Sequence, residues 1–247
     1  AQGARRLRDV TGNLLRMPEL IQCPRELDLP REDADEPNVH YIEASVDLSR
    51  RPDQSFPWDR LEPGRKLLYA SLGSQSVLAG KEAAVRFLRA VAEGAARHPE
   101  WQLVLGTGGQ VDPTELPLPA DAIALPWIPQ IPILERAALM VTHGGLGTIK
   151  ECIFHDVPMV VFPIARDQPD NAKRVVHHGI GLSGDLGGAT PEAIFAQIGA
   201  VDREPSFREK VARMGHRFRE VEDSGIGAQR IEEVLHQRVP SPLPGSP

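Results

Sequence analysis

The sequence predicts an α/β protein: a doubly wound, Rossmann-like parallel sheet of about six strands. Three observations carry this. From residue 66 onward, short apolar runs alternate with amphipathic helical segments, the pattern of a parallel sheet covered on both faces. Turn formers and isolated polar residues collect where the runs end: Ser71-Leu72-Gly73-Ser74, Trp127, His143 and Asp167. Such a sheet binds ligands at the carboxyl ends of its strands, near the point where strand order reverses.

Element by element, residues 66–72 read as a buried strand, 73–80 as a loop and 81–97 as a helix. Residues 101–105 form the next strand. A proline-rich loop leads to a short strand at 122–125 and a short helix at 131–137. A strand at 139–142, a helix at 148–155, a strand at 159–162, a helix at 168–178 and a strand at 180–183 complete the alternation. Three helices follow, near 191–200, 206–221 and 225–237.

Residues 1–65 differ in texture. They carry seven prolines and the acidic run Glu32-Asp33-Ala34-Asp35-Glu36, and neither apolar stretch (14–23 or 39–46) repeats as a βα unit. The reading divides the chain into a remnant at 1–38, a linker at 39–65, a ligand-binding domain at 66–239 and a disordered Pro/Ser/Gly tail at 240–247.

With 247 residues, 41% hydrophobic and 25% charged, the chain can bury a sizeable core. Its net charge of −6 argues against a general nucleic-acid binder. Arg5-Arg6-Leu7-Arg8 reads as a solvated face. Cys23 and Cys152 make no disulfide framework and suit a reducing compartment. No apolar run approaches the ~20 residues of a membrane span, and the N-terminus lacks a signal-peptide core. The expected location is cytoplasmic.

Thr142-His143-Gly144-Gly145-Leu146-Gly147-Thr148 runs from a strand end through three glycines into a helix. Free N–H groups and the positive end of the helix dipole make that junction a natural anion site, to which His143 could add a donor. The plainer alternative is a Gly-rich turn with a histidine capping the strand. Glu151 completes a capping-box pattern with Thr148. Trp127 at a strand end ordinarily means core packing. Asp167-Gln168-Pro169-Asp170 reads as a helix start, which explains both aspartates and leaves Gln168 unexplained.

Taken together, Trp127-Ile128-Pro129-Gln130, the 142–148 turn, Glu151, Pro158, Pro163 and Asp167-Gln168-Pro169-Asp170-Asn171 resemble the signature of the UDP-glycosyltransferase superfamily. These are inverting enzymes of the GT-B fold that take a sugar from a nucleoside diphosphate. The resemblance covers about residues 39–235, with specific motifs at 71–74 and 127–171, and fits the C-terminal, donor-binding half. It implies diphosphate contacts from His143, Gly145, Gly147, Thr148, Asn171 and Ser74. Trp127, Ile128, Gln130 and Glu151 would hold the nucleoside, Trp127 by stacking on the base and Glu151 by gripping the ribose hydroxyls. Asp167, Gln168 and Ser71 would face the transferred hexose of a UDP- or dTDP-sugar.

The resemblance also implies that the catalytic base and acceptor site belong to an N-terminal domain or separate subunit, so no catalytic residue is assigned here. No cofactor or metal is expected. Competing readings are a nucleotide-sugar epimerase on the same fold and a non-catalytic nucleotide-sugar-binding module. Weaker patterns fail on context. Gly106-Thr107-Gly108-Gly109 leads into Asp112-Pro113 rather than a helix, so it is no dinucleotide fingerprint. Asp33-Ala34-Asp35 lies in an acidic loop, and His177-His178 complements a helix end.

Overall fold

The computed structural model describes residues 18–30, 39–47, 55–73, 78–109 and 111–238. Ser74, the basic cluster 5–8, the start of the 14–23 stretch, the acidic run 32–36 and the tail 240–247 lie outside them. The chain divides into two compact units, residues 1–45 with 217–247, and residues 46–216.

In the smaller unit, strands β1 (Glu19–Ile21) and β2 (Val39–Tyr41) pair in parallel. The Asp28 carboxylate accepts from the Tyr41 hydroxyl and the Leu29 N–H, both at 2.9 Å. Helix α7 (Ile226–Arg238) begins over the Glu43 carboxylate, both oxygens of which accept from Gly227 N–H at 2.9 Å. The negative charge there complements the helix dipole.

The larger unit holds the sheet. Its strands are β3 (Lys66–Ser71), β4 (Trp101–Gly106), β5 (Ile123–Leu125), β6 (Ala137–Thr142), β7 (Met159–Val161) and β8 (Gly181–Ser183). All pair in parallel, in the order β5-β4-β3-β6-β7-β8. The expected doubly wound sheet is therefore present. Its order reverses between β3 and β6, the crevice where such sheets take ligands.

Side chains alternate with period two. Leu68, Ala70, Leu103, Leu105, Leu139, Val141 and Val160 share one core layer with helices α1 (Lys81–Ala96) and α5 (Pro191–Arg203). The intervening buried residues, among them Tyr69, Val104 and Met140, belong to the other face. Helices α2 (Gln130–Leu134), α3 (Leu146–Phe154) and α4 (Gln168–His178) contribute the rest of that buried set, including Ile131, Ile133, Ile149, Cys152 and Val175. Helix α6 (Pro205–Glu222) follows α5 and carries residues of both units.

Two boundaries differ from the sequence reading for local reasons. The expected helix at 131–137 ends at Leu134, and Ala137 opens β6 because it pairs with Leu67; pairing overrides alanine's helix preference. Helix α3 begins two residues early, at Leu146. Gly145 supplies the extended cap and its carbonyl accepts from Ile149 N–H. Thr148 thus lies inside the helix, and the capping-box alternative for Glu151 fails.

Within the segment read as a linker, residues 55–65 are fastened to the sheet. Buried Gln102 accepts from Glu62 N–H at 2.8 Å and donates to the carbonyls of Arg60 and Asp121 at 2.8 and 3.1 Å. Cys23 and Cys152 are both buried, and neither is in a disulfide among the described residues. Among the described residues, no helix is long and apolar enough to cross a membrane.

Candidate functional site

One register row ends all six strands: Leu125, Gly106, Ser71, Thr142, Val161 and Ser183 are successive partners across the sheet. Of the residues singled out from the sequence, Ser71, Trp127, His143 and Asp167 lie on or just past that row, at or beyond the ends of β3, β5, β6 and β7. Ser71 and Thr142 sit on either side of the switch point. Each turns its hydroxyl back to close its own loop, Ser71 accepting from Gly73 N–H at 3.1 Å and Thr142 from Gly144 N–H at 3.3 Å.

His143 follows directly and is only 6% exposed. Its ring is wedged between two glycines. A Cβ on Gly73 would lie 2.8 Å from the His143 Cε1, and one on Gly145 would lie 2.8 Å from its Nε2. Between them Gly144 turns the chain at φ 85°, with Val161 2.6 Å from where its Cβ would stand. Any side chain there would be strained and crowded. Among the described residues, the buried His143 Nδ1 has no hydrogen-bonding partner, an arrangement that is costly unless a ligand completes it. The first N–H groups of α3 lie beside it, with no carbonyl one turn back to receive them.

Burial pushes the His143 imidazole below the ordinary histidine value, and the charge of Asp167 opposes that more weakly. Protonation is therefore costlier in the folded chain than in the unfolded one. The stability this contributes is fully present above the unfolded value of about 6.5 and is lost as pH falls through the lowered folded value. The urea midpoint should accordingly drop more steeply between pH 7 and 5 for the natural chain than for His143→Gln. Equal slopes would show that His143 titrates normally.

The loop after β7 is built around Gln168, which is 2% exposed. Its Oε1 accepts from the N–H groups of Ile164 (2.8 Å) and Ala165 (3.0 Å), folding the loop so that Arg166 sits in the left-handed region at φ 61°. Non-glycine residues there cost energy and cluster at functional sites. The Gln168 carbonyl is thus engaged within the chain, leaving the edge of its amide nitrogen for a ligand. Asp167 is exposed and makes no side-chain cap bond to α4, so helix capping does not account for its carboxylate.

Asn171 is buried and bonded on both sides. Its Nδ2 donates to Gly144 O at 3.0 Å and to Asp167 Oδ2 at 2.8 Å, while its Oδ1 accepts from Arg174. Both amide hydrogens are engaged within the chain. Asn171 is a strut tying the Asp167 carboxylate to the His143 turn.

A third cluster joins α2 to α3. Gln130 Nε2 donates to the Glu151 carboxylate and, at 3.3 Å, to Thr148 Oγ1. Its Oε1 accepts from the Tyr69 hydroxyl at 3.1 Å. The Thr148 hydroxyl therefore groups with Gln130 and Glu151. Sequence reasoning missed Tyr69; the available signal was one phenol among the aliphatic residues of β3. Trp127, beyond β5, is 66% exposed. Core packing does not explain that ring, which presents a free aromatic surface. Ile128 is half-buried, with its Cγ1 3.4 Å from where a Gly106 Cβ would stand. Gly147 lies in the first turn of α3 with open space around it.

The family model for "UDP-glucoronosyl and UDP-glucosyl transferase" matches residues 19–222. The oleandomycin glycosyltransferase of Streptomyces antibioticus is 29% identical over 223 residues, covering 90% of this chain and 49% of that protein. Among solved structures, the glycotransferase of kitacinnamycin superposes with a TM-score of 0.76 at 34% identity, covering 90% of this chain and 55% of that one. Glycosyltransferase VinC, solved in complex with dTDP, shares the fold at a TM-score of 0.64 and 20% identity, over 87% of this chain and 51% of its own. The first three curated relatives are matched over 35%, 48% and 49% of their lengths, so the chain spans at most about half of each. Switch-point crevice, glycine-bracketed histidine and sequence match agree, and the chain belongs to the UDP-glucuronosyl and UDP-glucosyl transferase family.

Proposed function

We propose that this chain is the donor-binding, C-terminal half of an inverting glycosyltransferase that moves a hexose from a UDP- or dTDP-sugar to a hydroxyl acceptor. One observation carries the reading: the buried His143 Nδ1, without a partner among the described residues, at the switch point beside the start of α3. A leaving diphosphate would supply the acceptor that this nitrogen lacks and the charge that the helix end favours. Exposed Trp127 suits a stacked base, Glu151 a ribose diol, and Asp167 the hydroxyls of the transferred sugar.

In the complete enzyme, a base from the acceptor domain would deprotonate the incoming hydroxyl, which attacks the anomeric carbon opposite the diphosphate and inverts it. His143 and the α3 N–H groups then stabilise charge as it builds on the leaving diphosphate. This reading assigns no part of that charge to a metal.

Calorimetric titration with UDP, dTDP and UDP-glucose tests the proposal. The expected result is binding of at least one nucleoside diphosphate by the chain alone, with no sugar transfer until the acceptor half is supplied. Binding to none of them, with or without that half, would overturn it. Donor binding with no turnover from any supplied acceptor half would leave a binding module instead.

A further inference from the structure

We propose that Tyr69 is a positioning residue for recognition of the nucleoside sugar, acting through Gln130 on the Glu151 carboxylate. The inference rests on the donor-site reading above and extends it to a residue that never touches the ligand.

A carboxylate only accepts, so the Gln130 amide must turn its Nε2 toward Glu151, and the same nitrogen reaches Thr148 Oγ1 at 3.3 Å. Its Oε1 is thereby turned toward β3, where a carbonyl left without a donor would be costly. Tyr69 supplies the donor that this carbonyl needs. It is 2% exposed on β3, and its hydroxyl donates to Oε1 at 3.1 Å. Burial pushes the Tyr69 phenol well above its ordinary value, so it keeps its proton as donor throughout the working pH range. Phenol, amide and carboxylate thus form one directional chain, from the middle of β3 to the surface of α3. With the phenol oxygen removed, the amide loses its reason to prefer one face, and the carboxylate loses a fixed partner.

The consequence is selective. Glu151 is the group assigned to a vicinal diol, so disturbing its orientation should affect ligands that have the diol and spare those that lack it. The base on Trp127 and the diphosphate at His143 are held by other loops.

The test is calorimetric titration of the natural chain, Tyr69→Phe and Gln130→Ala with UDP and with 2′,3′-dideoxyuridine 5′-diphosphate. The natural chain should prefer UDP. Tyr69→Phe should weaken UDP about five- to tenfold, the worth of roughly one hydrogen bond, while changing the dideoxy ligand less than about twofold on the same scale. Gln130→Ala should weaken UDP at least as much, and the double variant should lose no more UDP affinity than Gln130→Ala alone. An equal loss for both ligands would make Tyr69 merely structural and overturn the proposal, as would no change in either. If the natural chain binds UDP and only the selectivity fails to move, this inference falls alone. If it binds neither ligand, with or without the acceptor half, the donor-site reading falls with it.

Discussion

Replacing His143 with alanine should cost about 1–3 kcal/mol of affinity for UDP, roughly five- to 150-fold, because a charge-assisted hydrogen bond to the diphosphate is lost. Uridine, which carries no phosphate, should bind the variant and the natural chain alike. Titrating both ligands against both proteins gives the result directly, and a parallel loss for uridine would mean that the substitution had collapsed the turn. A second signature follows from the buried ring. A diphosphate beside it favours the charged imidazole and so works against the burial that lowers its pKa. UDP binding should therefore draw a proton into the natural chain near neutral pH. Calorimetry in two buffers of different ionisation enthalpy should detect that uptake, and His143→Gln should abolish its protein share.

Gly181→Ala is expected to be the most damaging small substitution in the sheet. A Cβ at that position would fall on the Met159 carbonyl oxygen of the neighbouring strand, with Val175 of α4 2.9 Å away on the other side. Neither neighbour can yield cheaply, since one is backbone inside the ladder and the other is a fully buried side chain. Overpacking of this kind costs about 3 kcal/mol, and urea unfolding should show that loss as a lower midpoint. Gly147→Ala provides the contrast. Its Cβ would meet nothing within 4 Å inside α3, so the helix should gain about 0.5–1 kcal/mol. Equal stability of the two variants would refute the steric account.

The sheet was legible because its signals are local and repeated. Apolar runs of strand length, separated by helical periods, predict alternation without any knowledge of contacts, and glycines mark the ends of the runs. Where the reading slipped, long-range pairing decided the outcome. Ala137 belongs to a strand because Leu67 lies beside it, and α3 starts at Leu146 because Gly145 is free to cap it. The tethering of residues 55–65 depends on Gln102, a polar residue within a buried strand whose partners are about 20 to 40 positions away. Residues proposed to touch a ligand stood out by type and spacing. Those that support them did not: Tyr69 looks like another core aromatic, and nothing in the sequence shows that the Asn171 amide reaches Gly144 and Asp167.

The row from Leu125 to Ser183 acts as a datum line. Every loop that would reach a donor departs from the same transverse level, so how far a side chain projects depends on the length and turn of its own loop. Glycines carry the turns beyond β3 and β6, at Gly73 and Gly144, and Arg166 carries the one beyond β7. A lineage could therefore exchange one loop, and with it one part of the donor, while the ladder beneath kept its pairing. Such modular drift would let a single scaffold serve many sugars, with each change confined to a handful of residues above an unchanging floor.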